Sequence, residues 1–336
     1  MKAPAFWWRA ERGAVALALW PFAGLYGVVA QSRMERPPRY RAPVPVICIG
    51  NFVVGGAGKT PTAIALAEMA KARGLRPGFV AAGYGGNAEG ALLVEPAAST
   101  ARLTGDEALL LAAVAPTVIG RDRAAAARRL IHEPVDLLIM DDGFQSPNIA
   151  KDLSLVVVDG GAGIGNGMVL PAGPLRAPLA PQLRRADAVV IVGEGGEAVI
   201  RAAARAGRPV LRAELNAIRP DEWRGVPVLA FAGIGRPSKF FASLAAAGAI
   251  LAETAEFPDH HPYDEAEALD LMARAAAGGL RLVTTAKDIA RLTGASGAAA
   301  DLRERATAFA VTLVFENPAA VGALLDEAVR KAAGAR

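Results

Sequence analysis

The stretch VPVICIGNFVVGGAGKTPTAIALAEMAKARG, residues 44–74, leaves a chain little freedom in what it can become. An apolar run ends in a glycine-rich turn, and a lysine and a threonine open the helical pattern beyond it. Residues 45–52 read as a buried strand and 60–73 as a helix closed by Gly74. Such a junction aims backbone N–H groups and the positive end of a helix at one point, which makes it a phosphate site. The strict pattern G-x-x-x-x-G-K-[ST] is missed at one position, because Val53 stands where the first glycine belongs. Gly55, Gly56, Ala57 and Gly58 still supply a pliable cradle, and Lys59 can reach the β- and γ-phosphates. Thr60 can ligate Mg²⁺, and Pro61 presets φ for the first helical turn.

A phosphate loop of this kind needs a carboxylate at the end of a neighbouring strand. DLLIMDDGFQ, residues 136–145, supplies Asp141 and Asp142 after four apolar residues. Either can hold Mg²⁺ directly or through water, and Gln145 beside them can orient a ligand. Elsewhere after Pro43 apolar strands alternate with helices, among them PTVIG, VDLLIM, DLSLVVVD and ADAVVIVGE, with a helix starting at Asp122. That alternation predicts an α/β chain with a mostly parallel sheet, P-loop NTPase-like, covered by helices on both faces. GVPVLAFAGIGRPSKFF restarts the strand–glycine–helix logic, so a second, smaller α/β domain is expected. The boundaries fall at 1–42, 43–220 and 221–336, with the linker around 215–225.

The 336 residues are 53% hydrophobic, enough for a sizeable core, and the single cysteine, Cys48, excludes an internal disulfide. The net charge of +4 is concentrated in residues 1–42, where Lys2, Arg9, Arg12, Arg33, Arg36, Arg39 and Arg41 face only Glu11 and Glu35. The rest of the chain is near neutral, with no basic stripe carrying interleaved aromatics, so nucleic acid is not an expected partner. GAVALALWPFAGLYGVVA, residues 13–30, carries no charge, and Pro21, Gly24 and Gly27 interrupt it. Trp7, Trp8 and Trp20 flank or enter it, as suits a membrane–water interface. A cleaved signal peptide would export a nucleotide site away from its nucleotide. A spanning helix, an interfacial helix or broken hairpin, and a helix packed on the protein's own core remain, with the interfacial form expected.

Three further clusters bear on an acceptor. In TGDEALLL, Asp106 opens a helix and suits a cap or a base equally. In EFPDHHPY, Asp259, His260 and His261 adjoin in a loop; three successive side chains seldom converge on one ion, and a histidine backing an acidic base fits better. VVVDGGAGIGNGMVLPAGPLR contains G-x-G-x-x-G but no following helix, so it reads as a substrate-facing loop, with Arg176 able to meet an anion alongside Arg121 and Arg123.

The segments GNFVVGGAGKTP, GYGG, GDE, DDGFQ, VVVDG…GNG…LPAGPLR, FAGIGRPSKFF and FPDHH together resemble the tetraacyldisaccharide 4'-kinase family, in the same order and over roughly residues 7–290. The resemblance implies a two-domain P-loop kinase at the cytoplasmic face of the bacterial inner membrane. It implies transfer of the γ-phosphate of ATP, with Mg²⁺, to the 4'-hydroxyl of the disaccharide precursor of lipid A, and no obligate protein partner. Carried onto this chain, it implies Gly55, Gly56, Gly58, Lys59 and Thr60 for the nucleotide and Asp141 and Asp142 for the metal. Asp106 becomes the base, His260 its partner, and Tyr84, Gln145 and Arg176 face the glycolipid substrate. The chain departs from the family pattern at Ala82, Ser146, Ala177 and Ala286, mostly acceptor-facing positions, which allows a variant acyl pattern or headgroup. Two other classes are a P-loop GTPase or metal-delivery hydrolase and a non-catalytic membrane scaffold. The first would read guanine with N-K-x-D, whereas Lys287 and Asp288 are adjacent; the intact Lys–Thr and Asp–Asp pairs oppose the second.

Overall fold

In the computed structural model, which describes residues 3–9 and 11–334, thirteen strands form two sheets. The chain lays down β1 (Val46–Gly50), β2 (Pro77–Ala81), β3 (Leu92–Leu93), β4 (Thr117–Ile119), β5 (Leu137–Asp141), β6 (Leu153–Asp159), β7 (Ala188–Val192) and β8 (Val210–Ala217). Then come β9 (Pro227–Ala232), β10 (Ile250–Glu256), β11 (Arg281–Thr285), β12 (Thr307–Phe309) and β13 (Val311–Phe315). The large sheet runs β13-β8-β7-β6-β1-β5-β2-β4-β3 and the small one β10-β9-β11-β12. Within the large sheet every pairing is parallel except those of the edge strands β3 and β13.

Strands β1, β5, β6 and β7 are buried along their whole length, as parallel strands covered on both faces must be. Helix Lys59–Lys71 lays Ala63, Leu66, Ala67 and Ala70 on one face, and helix Arg123–Leu130 lays Ala126, Ala127 and Leu130 on the other. The second helix starts as its sequence predicts, with the Asp122 carboxylate accepting from the amides of Ala124 at 2.9 Å and Ala125 at 3.4 Å. With β1 between β5 and β6, the loops after β1 and β5 meet above the carboxyl ends of the sheet, where α/β folds place ligands.

The C-terminal boundary differs from the expected 221–336. The small sheet ends with β12, and β13 returns to pair antiparallel with β8, followed by helix Pro318–Gly334 against the large unit's core. The alternating pattern of β13 looks the same in either sheet; only the exposed edge of β8 decides its place. The small unit is thus an insertion between two neighbouring strands at one side of the large sheet. Asp159, at the end of β6, ties it to the large unit through ion pairs with Lys239 and with Arg236, the latter at 2.9 Å.

The N-terminal segment forms a 3-10 turn, Ala5–Trp8, and two helices, Ala14–Ala18 and Trp20–Met34, broken where Pro21 begins the second. No helix among the described residues is long and apolar enough to cross a membrane. Ala16 and Ala23 pack against Met168 and Ala172, and the Trp7 indole donates to the Pro171 carbonyl at 3.0 Å. The outward side leaves Trp20, Phe22, Leu25, Val28 and Val29 each more than half exposed. Residues 1, 2, 10, 335 and 336, and with them Lys2 of the basic segment, lie outside the described residues.

Candidate active site

The turn after β1 has the predicted phosphate-cradle form. Gly55 and Gly58 take φ of 104° and 88°, values an L side chain resists, and a Cβ at Gly55 or Gly56 would meet nothing within 4 Å. The space above the loop is open. Val53 is accepted at the nominal glycine position because it is buried and bridges Leu175 instead of lining that space. Asn51 steadies the loop from below, donating to the Gly55 carbonyl at 2.9 Å.

Thr60 donates its hydroxyl to Asp141 Oδ2 at 2.9 Å, while Asp141 Oδ1 is buried with no partner. An orphaned buried carboxylate oxygen beside a threonine hydroxyl is the half-set of hard oxygen ligands that Mg²⁺ takes before phosphates and water complete its shell. Burial, reinforced by the nearby Glu107 charge, pushes Asp141 up to about 7, a cost that a bound dication would relieve. Among the described residues no cluster of three acids, histidines or cysteines could cage a metal by itself.

Asp142 faces elsewhere. Arg176 holds it with two prongs, Nη1–Oδ1 at 2.9 Å and Nη2–Oδ2 at 3.0 Å, and Lys59 lies 3.6 Å from Oδ2. Burial opposes ionisation here, but the Lys59 and Arg176 charges prevail and hold the carboxyl below its ordinary value. Its φ of 55° is rare for a non-glycine residue and turns the side chain away from its neighbour Asp141. The two aspartates, indistinguishable in the sequence, therefore divide: Asp141 carries the free oxygen and Asp142 anchors Lys59.

Two expected substrate contacts take other partners. Arg176, besides gripping Asp142, donates from Nε to the Val53 carbonyl at 3.1 Å, so its guanidinium braces the phosphate loop. Gln145 donates to the Asn51 carbonyl at 2.7 Å and to Gln182 Oε1 at 2.9 Å, again a brace beneath the loop. Tyr84 does project outward, 71% exposed, with its ring 5.5 Å from that of His260.

Asp106 is the first residue of helix Asp106–Ala112, behind Gly105 at φ 83°. Neither Thr104 nor Asp106 caps that helix; Thr104 ends the preceding one. A Cβ at Gly105 would collide with the Tyr84 carbonyl, so the glycine lets the two loops touch. His260, at φ 59°, places Nδ1 3.3 Å from Asp106 Oδ2. The two motifs, 154 positions apart, thus form a carboxylate–imidazole pair across the units. Burial raises Asp106, yet the His260 hydrogen bond and the Lys287 and Arg291 charges outweigh it and hold the group well below the carboxylate range. The same bond raises His260 above its ordinary value against burial. His261 turns away, bonded to Glu267 Oε2 at 2.7 Å and stacked on Phe257, so the loop's acids and histidines do not converge on a metal.

Reasoning from the sequence missed Glu107, Lys287 and Arg291. Lys287 donates to Glu107 Oε1 at 2.6 Å, and Arg291 to Asp106 Oδ2 at 2.5 Å. The available signal was their spacing of four on one short helix, Ala286–Arg291, which puts both cations on one face. Arg123, expected to meet an anion, donates to the carbonyls of Gly120 at 2.8 Å and Asp142 at 3.4 Å.

Residues 15–330 match the family described as tetraacyldisaccharide-1-P 4'-kinase. A tetraacyldisaccharide 4'-kinase of Sinorhizobium medicae is 50% identical over 100% of this chain and 97% of its own length. One of Agrobacterium fabrum is 48% identical over 98% of this chain and 94% of its own. Among solved structures, LpxK from Aquifex aeolicus in complex with ATP superposes with a TM-score of 0.73 at 25% identity, covering 94% of this chain and 99% of that one.

Proposed function

The chain belongs to the tetraacyldisaccharide-1-P 4'-kinase family, and from that footing we propose which of its residues perform the transfer. It is an ATP-dependent lipid kinase that phosphorylates the 4'-hydroxyl of the tetraacyldisaccharide 1-phosphate precursor of lipid A. The GTPase alternative is not favoured. The residue assignment rests on one observation above all: Thr60 and the orphaned Asp141 oxygen flank an open glycine cradle next to Lys59.

In this reading the amides of residues 55–60 and the Lys59 ammonium cradle the β- and γ-phosphates of ATP, with Asp142 and Arg176 holding Lys59 and the loop in place. Mg²⁺, held by Thr60 and Asp141, would neutralise charge on the phosphates. The 4'-oxygen forms a bond to γ-phosphorus as the bond to the β,γ-bridging oxygen breaks and ADP leaves. The departing hydroxyl proton passes to the Asp106–His260 pair, whose Nδ1 and Oδ2 stand 3.3 Å apart. In a loose transition state that proton leaves late, so a weakly basic carboxylate is adequate if well placed. Tyr84, exposed beside His260, is available to a sugar ring that approaches that pair.

Incubation with MgATP and the lipid precursor is expected to yield a product heavier by one phosphate in mass spectrometry. Asp141→Asn is expected to raise the Mg²⁺ requirement for half-maximal turnover by roughly tenfold or more, because it removes the charge behind the unpartnered buried oxygen beside Thr60. An unchanged requirement would reassign the metal.

We propose in addition that the N-terminal helices seat the protein on a membrane surface. An apolar face of Trp20, Phe22, Leu25, Val28 and Val29, next to exposed Arg33, Arg36 and Arg39, suits the interface of an anionic cytoplasmic leaflet. Helix Trp20–Met34, at 15 residues, is about 22 Å long, short of a hydrocarbon core of about 30 Å, which favours an interfacial seat over a span. Phe22→Glu with Leu25→Glu is expected to weaken binding to anionic vesicles by on the order of 10³-fold, at about 2 kcal/mol of lost burial for each residue. Co-sedimentation measures it; equal partitioning would remove the interfacial role.

A further inference from the structure

We infer that Arg291 is a positioning residue for phosphoryl transfer: it pins one oxygen of Asp106 so that the other stays turned toward the acceptor hydroxyl. The inference rests on the reading of Asp106 as the proton acceptor and extends it to a residue of the small unit.

The donors on Asp106 are unevenly shared. Oδ2 accepts from Arg291 Nη2 at 2.5 Å and Nε at 3.2 Å, and His260 Nδ1 stands 3.3 Å away. Among the described residues Oδ1 accepts only from the Glu107 amide, at 2.9 Å. One oxygen is saturated and the other keeps a lone pair.

Arg291 is itself held rigidly. Its remaining prong, Nη1, donates to Asp288 Oδ1 at 2.7 Å and to the Gly233 carbonyl at 2.9 Å. Asp288 is fully buried and further fixed by the Tyr263 hydroxyl at 2.8 Å, the Gly233 amide at 3.0 Å and the Thr285 hydroxyl at 2.6 Å. The guanidinium, 8% exposed, therefore transmits the position of a buried anchor to a carboxylate of the other unit. A structural ion pair alone would not require one guanidinium to bridge two carboxylates through separate prongs while also holding a backbone carbonyl. That arrangement suits an orienting role, as donors behind a reacting group must already be in place.

The charged groups facing Asp106 are Arg291 and Lys287 from helix Ala286–Arg291, His260 from the loop after β10, and Glu107 on its own helix. Removing the guanidinium deletes a cation that disfavours protonation of the Asp106–His260 pair, so the pair gains its proton at higher pH. It also frees the carboxylate to rotate.

The experiment is the pH profile of the full-length enzyme with MgATP and lipid precursor. Arg291→Gln is expected to move the acid limb of kcat/KM up by at least about one pH unit. It is also expected to lower kcat at pH 8 at least fivefold, with KM for ATP unchanged. An unmoved limb or a smaller fall in kcat overturns the inference. Arg291→Lys keeps the charge without the fork, so its limb should stay in place while kcat still falls at least fivefold. This second variant decides alone if Arg291→Gln does not fold, a smaller fall again overturning the inference. Asp106→Ala, run beside them, separates the two ideas. Turnover retained there sinks the base assignment, whereas an inactive Asp106→Ala with an unaltered Arg291→Gln sinks only the role of Arg291.

Discussion

Lys59→Ala lowers kcat by an expected factor on the order of 10³, the typical loss when one fixed charge-stabilising donor leaves a phosphoryl or acyl transition state. The structure isolates this effect from folding. Among the described residues Lys59 makes one ion pair, 3.6 Å from Asp142, and Asp142 retains the two-pronged grip of Arg176 when the lysine is gone. The glycine turn keeps its Asn51–Gly55 bond, and Thr60 keeps Asp141. Thermal melting should therefore move little while turnover at saturating MgATP and lipid collapses. Lys59→Arg is not expected to rescue, since a planar fork cannot follow the path of a slender ammonium stem already held by the Gly55 carbonyl and Asp142. A Lys59→Ala enzyme working at more than a tenth of the normal rate would mean that another cation meets the transferring phosphoryl group.

The second large effect concerns the pair that joins the units. Asp106→Ala is expected to cost about 10²–10⁴-fold in kcat, the usual range for a positioned acid–base group. His260→Ala should fall within the same range, and the double variant should be little worse than the worse single one, because groups that act together lose their function together. The cycle is read from single-turnover rates of all four proteins. Strict multiplication of the two single effects would show that Asp106 and His260 act separately, despite the 3.3 Å between Nδ1 and Oδ2.

How far the sequence reveals this site depends on whether a residue's role is local. The phosphate turn, the helix behind it, the paired aspartates ending β5 and the Asp122 cap are each set within about ten residues, and each is legible. The division of labour between Asp141 and Asp142 is not, because it is imposed by Arg176, 34 positions away along the chain. Gln145 and Arg176 have the right chemistry for a substrate, and only the closeness of Asn51 and Val53 commits them to the loop. Arg291 and Lys287 escape notice because a short helix with one apolar and one basic side looks like any surface helix. Their acidic partners lie about 180 positions earlier. The placement of β13 escapes for the same reason: strand pattern specifies a face, not a sheet.

That returning strand has a mechanical consequence. The small unit leaves the large one after β8 and rejoins it at β13, its antiparallel neighbour, so it hangs from two straps fixed side by side. A body hung that way swings about one axis and resists twisting. His260, Lys287, Arg291 and the Arg236–Lys239 pair are all carried on it, and their partners Asp106, Glu107 and Asp159 all stay behind. Any turn about those straps would therefore bear on all of these contacts at once.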